Sequence, residues 1–211
     1  MTAAKTAKTL LTRLHEAHPG ARYELNWTTP FELLVATILA AQCTDERVNR
    51  VTATLFQKYR GPQALADADT AQLEEDLKPT GFYKQKTKTV QAMSRELLAK
   101  FGGEVPKTIE ELITLPGVAR KTANVVLNTA FNLPSGVIVD THVVRVSQRM
   151  GLTKKDKPEE IEKELMKLVP QAEWTFFGPA TVLHGRYTCT ARKPKCDACP
   201  MSDICPKVGV E

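Results

Sequence analysis

Aromatic side chains are scarce, 6% of 211 residues, which argues against the broad stacking platform that single-strand binders offer to bases. Long apolar runs are missing too. Nothing approaches the roughly 20 residues a membrane span needs, so no membrane partner is expected. Strand-like alternation is confined to Gly136-Val137-Ile138-Val139, which reads as an extended approach to a helix. There is no internal repeat, no low-complexity linker and no secretory h-region; the expected setting is cytoplasmic, with cysteines reduced. Neither sign of charge dominates: 29 Lys and Arg against 24 Asp and Glu leave +5, which permits nucleic acid as a partner without establishing it. Hydrophobic residues make up 42%, ample for one large domain or two small ones.

Helical periodicity fills the space that strands leave. Lys5, Lys8 and Arg13 have the flavour of a transit peptide. Leu10, Leu11 and Leu14 instead form a stripe that continues to Glu16 and His18, an amphipathic first helix. Thr29-Pro30-Phe31-Glu32 is a helix start, with Thr as N-cap, Pro at the first helical position and Glu closing a capping box. The nearly all-apolar helix from Phe31 to about Ala41 should be central and buried. Thr44 or Asp45 caps the next helix, and further helices are expected over 71–77, 84–101 and 108–113, the second stopped by Gly102-Gly103. Asp140 should cap a helix carrying Val143, Val144, Val146 and Met150, followed by helices over 158–168 and 174–187, the last disturbed at Gly178-Pro179. The chain reads as all-α.

Two helical runs meet at Leu115-Pro116-Gly117-Val118-Ala119-Arg120-Lys121-Thr122-Ala123-Asn124. The joint is too short for anything but a tight hairpin, and Gly117 supplies the permissive backbone. Such a hairpin leaves the first amides of its second helix unpaired beside a positive dipole end, where a phosphate can sit whatever the base sequence. An ordinary helical hairpin inside an all-α core has the same spacing. Lys121 lies in the first turn of that helix, where the dipole and Arg120 favour the neutral, nucleophilic amine.

Four of the five cysteines crowd the tail as Cys189-x6-Cys196-x2-Cys199-x5-Cys205. Ala191, Ala198, Met201 and Ile204 are too little apolar material for a core there, so a tetrathiolate centre should hold the segment together. Spacing leaves zinc and iron-sulfur both open. Arg192, Lys193 and Lys195, on a loop pinned by its flanking ligands, would present a stiff basic patch to phosphates. Cys43 stands apart, at a helix end, as a small buried residue.

Leu-Pro-Gly-Val-Ala-Arg-Lys-Thr-Ala over 115–123, followed by Val139-Asp140-Thr141-His142, resembles the helix-hairpin-helix DNA glycosylases. Within them it is most similar to the endonuclease III group, which has lysine where Lys121 stands, and the likeness runs from about Leu25 to Cys205. The resemblance implies a helical domain over 22–134 and a discontinuous second domain of 1–21 plus 135–211, with a DNA-binding cleft between them. It also selects a 4Fe-4S cluster for the four cysteines. The implied partner is damaged double-stranded DNA, bound by a monomer, nucleoid-associated through that DNA. The implied reaction removes an oxidised pyrimidine: Lys121 attacks C1′, Asp140 steadies the developing charge, and β-elimination nicks the strand. Gln42 and Phe82 are the implied wedges into the gap left by the flipped nucleotide; His142 is a contact or structural residue. The family hairpin usually reads glycine where this chain has Ala119. If that position takes a positive φ, a Cβ there costs about 1 kcal/mol or more and reshapes the turn.

Two other readings compete. An adenine-specific glycosylase of the same superfamily lacks the lysine and adds a carboxy-terminal recognition domain. A catalytically silent helix-hairpin-helix DNA-binding module would need neither Lys121 nor Asp140.

Overall fold

The computed structural model describes residues 2–210, and all regular structure among them is helical. In chain order the helices are Ala3–Ala17 (α1), Pro30–Leu39 (α2), Asp45–Lys58 (α3), Gly61–Ala66 (α4), Thr70–Leu77 (α5), Tyr83–Phe101 (α6), Ile109–Leu112 (α7), Arg120–Ala130 (α8), Thr141–Arg149 (α9), Pro158–Leu168 (α10) and Trp174–Tyr187 (α11). Short 3-10 turns precede α6 and α11, at Lys78–Thr80 and Gln171–Glu173. The chain divides into two compact units: Glu24–Phe131, and the segment before it joined with the segment after it.

The continuous unit is built on α2. Its start is fixed locally: Thr29 Oγ1 accepts from the Glu32 amide at 3.2 Å, and the Glu32 carboxylate accepts from the Thr29 amide at 3.3 Å. Pro30 occupies the first turn, where its missing N–H costs nothing. Phe31, Leu33, Leu34, Val35, Ala36, Ile38 and Leu39 are all buried, only Pro30, Glu32 and Thr37 keep partial exposure, and α3, α4, α6 and α8 pack against the helix. Gly102, at φ 61, ends α6 by returning its amide to the carbonyls of Leu97 and Leu98. Helix α4 lies outside the sequence reading. It begins on Gly61-Pro62 and is six residues long, too short to register a 3.6-residue period.

In the discontinuous unit, Ala7, Leu10 and Leu14 of α1 share a core with Val143 and Val146 of α9, Ile161 and Leu165 of α10, and Phe177 and Ala180 of α11. Val137 and Val139 enter that core without regular structure, and Ile138 between them is buried as well. The expected disturbance at Gly178-Pro179 does not break α11, which runs on through Pro179. Burial compensates: Phe177, Gly178, Pro179 and Ala180 are all interior, and packing outweighs the roughly 3 kcal/mol that an internal proline costs an isolated helix. Gly178 also sits in a tight place. A Cβ there would lie 3.1 Å from Tyr23 Oη and 3.4 Å from the Ile138 carbonyl.

Candidate functional site

The hairpin is closed by backbone bonds from Thr114 to Glu111, Leu115 to Leu112 and Val118 to Leu115. Gly117 takes the positive φ, +76, and presses against α6, where a Cβ would fall 2.2 Å from Thr89 Cγ2. Ala119 does not share that burden. It is the N-cap of α8 at φ −88 and ψ 168, ordinary extended backbone that any residue adopts, so the strain expected of a Cβ there is absent. Ala119→Gly should accordingly leave nonspecific duplex affinity unchanged in an anisotropy titration; tighter binding would show a hidden cost at this position.

Alanine also brings no capping oxygen. The α8 N-terminus makes no side-chain cap hydrogen bond, so no side-chain oxygen competes with an anion for the positive end of its dipole. Arg120 and Lys121 are exposed on that first turn, whereas Ala123, Val125, Val126 and Leu127 anchor the helix below.

Gln42 and Phe82 both occupy the left-handed region, at φ 53 and φ 48. Holding a non-glycine residue there costs roughly 1–2 kcal/mol, so each loop is set by what surrounds it. Gln42 is exposed, and Phe82, 66% exposed, is an apolar ring presented to water.

Asp140 caps α9 with a single oxygen: Oδ1 accepts from the His142 amide at 2.8 Å and the Val143 amide at 2.9 Å. The carboxylate is thereby fixed in orientation, its second oxygen left for other work. Arg145, one turn on, donates to His142 Nδ1 at 3.1 Å and to the carbonyls of Gly185 and Cys189 at 2.7 and 3.1 Å. His142 Nδ1 therefore accepts, which places the ring proton on Nε2 and makes His142 part of the scaffold under α9. Arg149, 9% exposed, donates to Cys189 Sγ at 3.4 Å and to the carbonyls of Thr190 and Ala191 at 2.7 and 3.0 Å. One helix thus carries the acid at its start and grips the cysteine-bearing tail near its end. The sequence reading missed both arginines.

Cys189, Cys196, Cys199 and Cys205 line one cavity with Val146, Met150 and His184. Burial raises the Cys199 and Cys205 thiols above their ordinary range, and the neighbouring cysteines add to it. Two of the sulfurs accept backbone amides, Cys199 from Met201 and Cys205 from Lys207, each at 3.4 Å. Desolvation, with a smaller push from His18, lowers His184 to about 4 and keeps it neutral 3.7 Å from Cys199 Sγ. A cluster has a separate iron for each thiolate, and the shared cavity, the N–H···S bonds and the apolar walls suit it.

Between the first two cysteines, Thr190 Oγ1 donates to the carbonyls of Arg192 and Lys193 at 2.9 and 3.2 Å. The Lys195 amide returns to the Thr188 carbonyl at 3.1 Å, and Lys193 sits at φ 49. Arg192, Lys193 and Lys195 are therefore exposed cations on a braced loop. Among the described residues no helix is long and apolar enough to cross a membrane.

Hairpin, capped aspartate and cysteine cavity together define a helix-hairpin-helix repair protein. The family described as HhH-GPD superfamily base excision DNA repair protein matches residues 35–171, and the iron-sulfur binding domain of endonuclease III matches residues 189–205. Endonuclease III of Synechocystis sp. is 53% identical over 200 residues, 95% of this chain and 91% of its own. A non-covalent Endonuclease III-DNA complex matches with TM-score 0.94 at 42% identity, covering 98% of this chain and 97% of that one. A trapped Endonuclease III-DNA covalent intermediate matches at TM-score 0.93 and 42% identity, with the same coverage. The chain belongs to the endonuclease III family. It is a base excision DNA repair glycosylase with the lyase activity of that family, and it carries a 4Fe-4S cluster.

Proposed function

We propose that the enzyme acts as a monomer on damaged duplex DNA, removes oxidised pyrimidines, and nicks the strand through a Schiff base formed by Lys121. The reading is carried by an exposed lysine on the first turn of a helix whose N-terminus has no side-chain cap. It is supported by the covalent intermediate known for the endonuclease III relative. The Lys121 Nζ lone pair attacks C1′ as the C1′–N bond breaks, and the base leaves with that electron pair and gains a proton. The deoxyribose ring opens to an imine; loss of a proton at C2′ then expels the 3′ phosphate. Asp140, its carboxyl fixed by the two cap bonds, stabilises the positive charge that grows on the sugar.

The α8 amides, with Gly117, Ala119 and Arg120 of the hairpin, hold phosphates without regard to sequence. Arg192, Lys193 and Lys195 add a second grip. Gln42 and Phe82 enter the space the extruded nucleotide vacates, Phe82 by stacking. Incubating wild-type protein with a thymine glycol duplex and borohydride tests the whole: a covalent adduct is expected. Base release without an adduct would mark a monofunctional glycosylase, and neither product a binding module.

Cys189, Cys196, Cys199 and Cys205 hold the cluster, which when bound supplies a covalent tie for a tail with little core of its own. Cys199→Ser should lose the brown colour and visible absorbance and leave residues 189–205 open to protease. A colourless variant with an unchanged digestion pattern would show that the tail stands without the cluster.

A further inference from the structure

Lys86 is 5% exposed, a rare place for a lysine. It lies in the first turn of α6, and its ammonium donates to two backbone carbonyls, Leu39 O and Thr80 O, each at 2.8 Å. Those carbonyls have different origins. Leu39 is the last residue of α2, where the helix leaves carbonyls without intrahelical partners, three residues before Gln42. Thr80 ends the 3-10 turn, two residues before Phe82, and is itself 1% exposed with its hydroxyl bonded to Leu77 O. One cation therefore ties together the roots of two loops that are far apart in sequence, and each loop holds a non-glycine residue in the left-handed region. Burial lowers the Lys86 ammonium, opposed in part by nearby Cys43; a group under that penalty is retained for its bonds. A methionine would fill the same stem volume and supply none of them.

We infer that Lys86 is a positioning residue that fixes the spacing of the Gln42 and Phe82 loops, so that both side chains enter one gap in the duplex as a matched pair. This rests on the reading that Gln42 and Phe82 enter the DNA. Lys86 touches no DNA itself and acts through the two carbonyls it bridges.

The test uses full-length, cluster-loaded protein and a lesion duplex with 2-aminopurine opposite the damage, whose fluorescence rises on unstacking. Lys86→Met is expected to lose most of that rise and to lower kcat/KM on the duplex by about 10- to 100-fold, the range a misplacement near 1 Å produces. Lyase cutting of a single-stranded abasic oligonucleotide, which has no opposite strand and no gap to fill, should be unchanged. Added to the Gln42→Ala/Phe82→Ala pair, Lys86→Met should cost nothing further. Equal losses on single and double strands, or a full additive loss in the triple variant, would overturn the positioning role. If the rise disappears in the Gln42→Ala/Phe82→Ala pair but survives in Lys86→Met, only the positioning role fails. If the pair keeps the rise, the insertion reading fails and this proposal fails with it. Should Lys86→Met melt below the assay temperature, Lys86→Gln, which keeps a donor inside but falls one bond short of the two carbonyls, is measured against the same outcomes.

Discussion

Lys121→Gln is expected to abolish borohydride trapping and lower nicking of a thymine glycol duplex by about 10³-fold or more, the scale on which loss of a covalent nucleophile is felt. The glutamine keeps polarity and helix propensity at an exposed position of α8, so the helix should be undisturbed. Duplex affinity distinguishes the nucleophile from a mere phosphate contact. A lysine that neutralises a phosphate releases a counterion, and its loss flattens the slope of log K against log salt by about 1. A lysine that attacks C1′ leaves that slope as it was, because the proposed function gives the grip to the α8 amides and to Arg192, Lys193 and Lys195. A variant that still forms the adduct would move the nucleophile elsewhere. One that binds weakly with a flattened slope would make Lys121 part of the clamp.

What could be read from the sequence was whatever is decided within a turn or two of chain. The Thr29–Glu32 capping box, the stop at Gly102 and the Asp140 cap each involve partners at most five residues apart, and all were legible. The four cysteines were legible as a set because nothing else could organise the tail. Lys86, Arg145 and Arg149 were not. Their carbonyl acceptors lie 47, 40 and 44, and 41 and 42 residues away respectively, apart from Lys86's nearer bond to Thr80, and Arg145 also reaches His142 three residues back; a cation in a helix looks the same in sequence whether it meets water or a buried carbonyl. The cost at Ala119 hung on a backbone angle that residue identity alone does not give, and at φ −88 it does not arise. Gly117 alone carries the positive φ of the turn, and Ala119, two residues on, is extended. Pro179 shows the opposite imbalance, a strong local signal overruled by burial.

Gly117→Ala separates the two reasons for glycine in the hairpin and should be the most destabilising substitution there. At φ +76 an alanine pays about 1–2 kcal/mol of backbone strain. Its Cβ would also lie 2.2 Å from Thr89 Cγ2, a distance no pair of carbons tolerates, and a β-branched side chain on a helix has few rotamers to retreat into. Together these should cost about 2–4 kcal/mol, a fall in Tm on the order of 10 °C for a chain of this size. Nonspecific duplex affinity should fall with it, since the α8 amides are aimed by this turn. Thr89→Ser removes the offending methyl and leaves the alanine Cβ 3.7 Å from the residue 89 Cβ and 4.0 Å from Ile38 Cγ2, ordinary contacts. The double variant should therefore recover the steric share and retain only the backbone share. Full recovery on thermal unfolding would mean the left-handed turn costs alanine nothing. No recovery would mean that the obstruction is not Thr89, and that α6 does not set the shape of the hairpin.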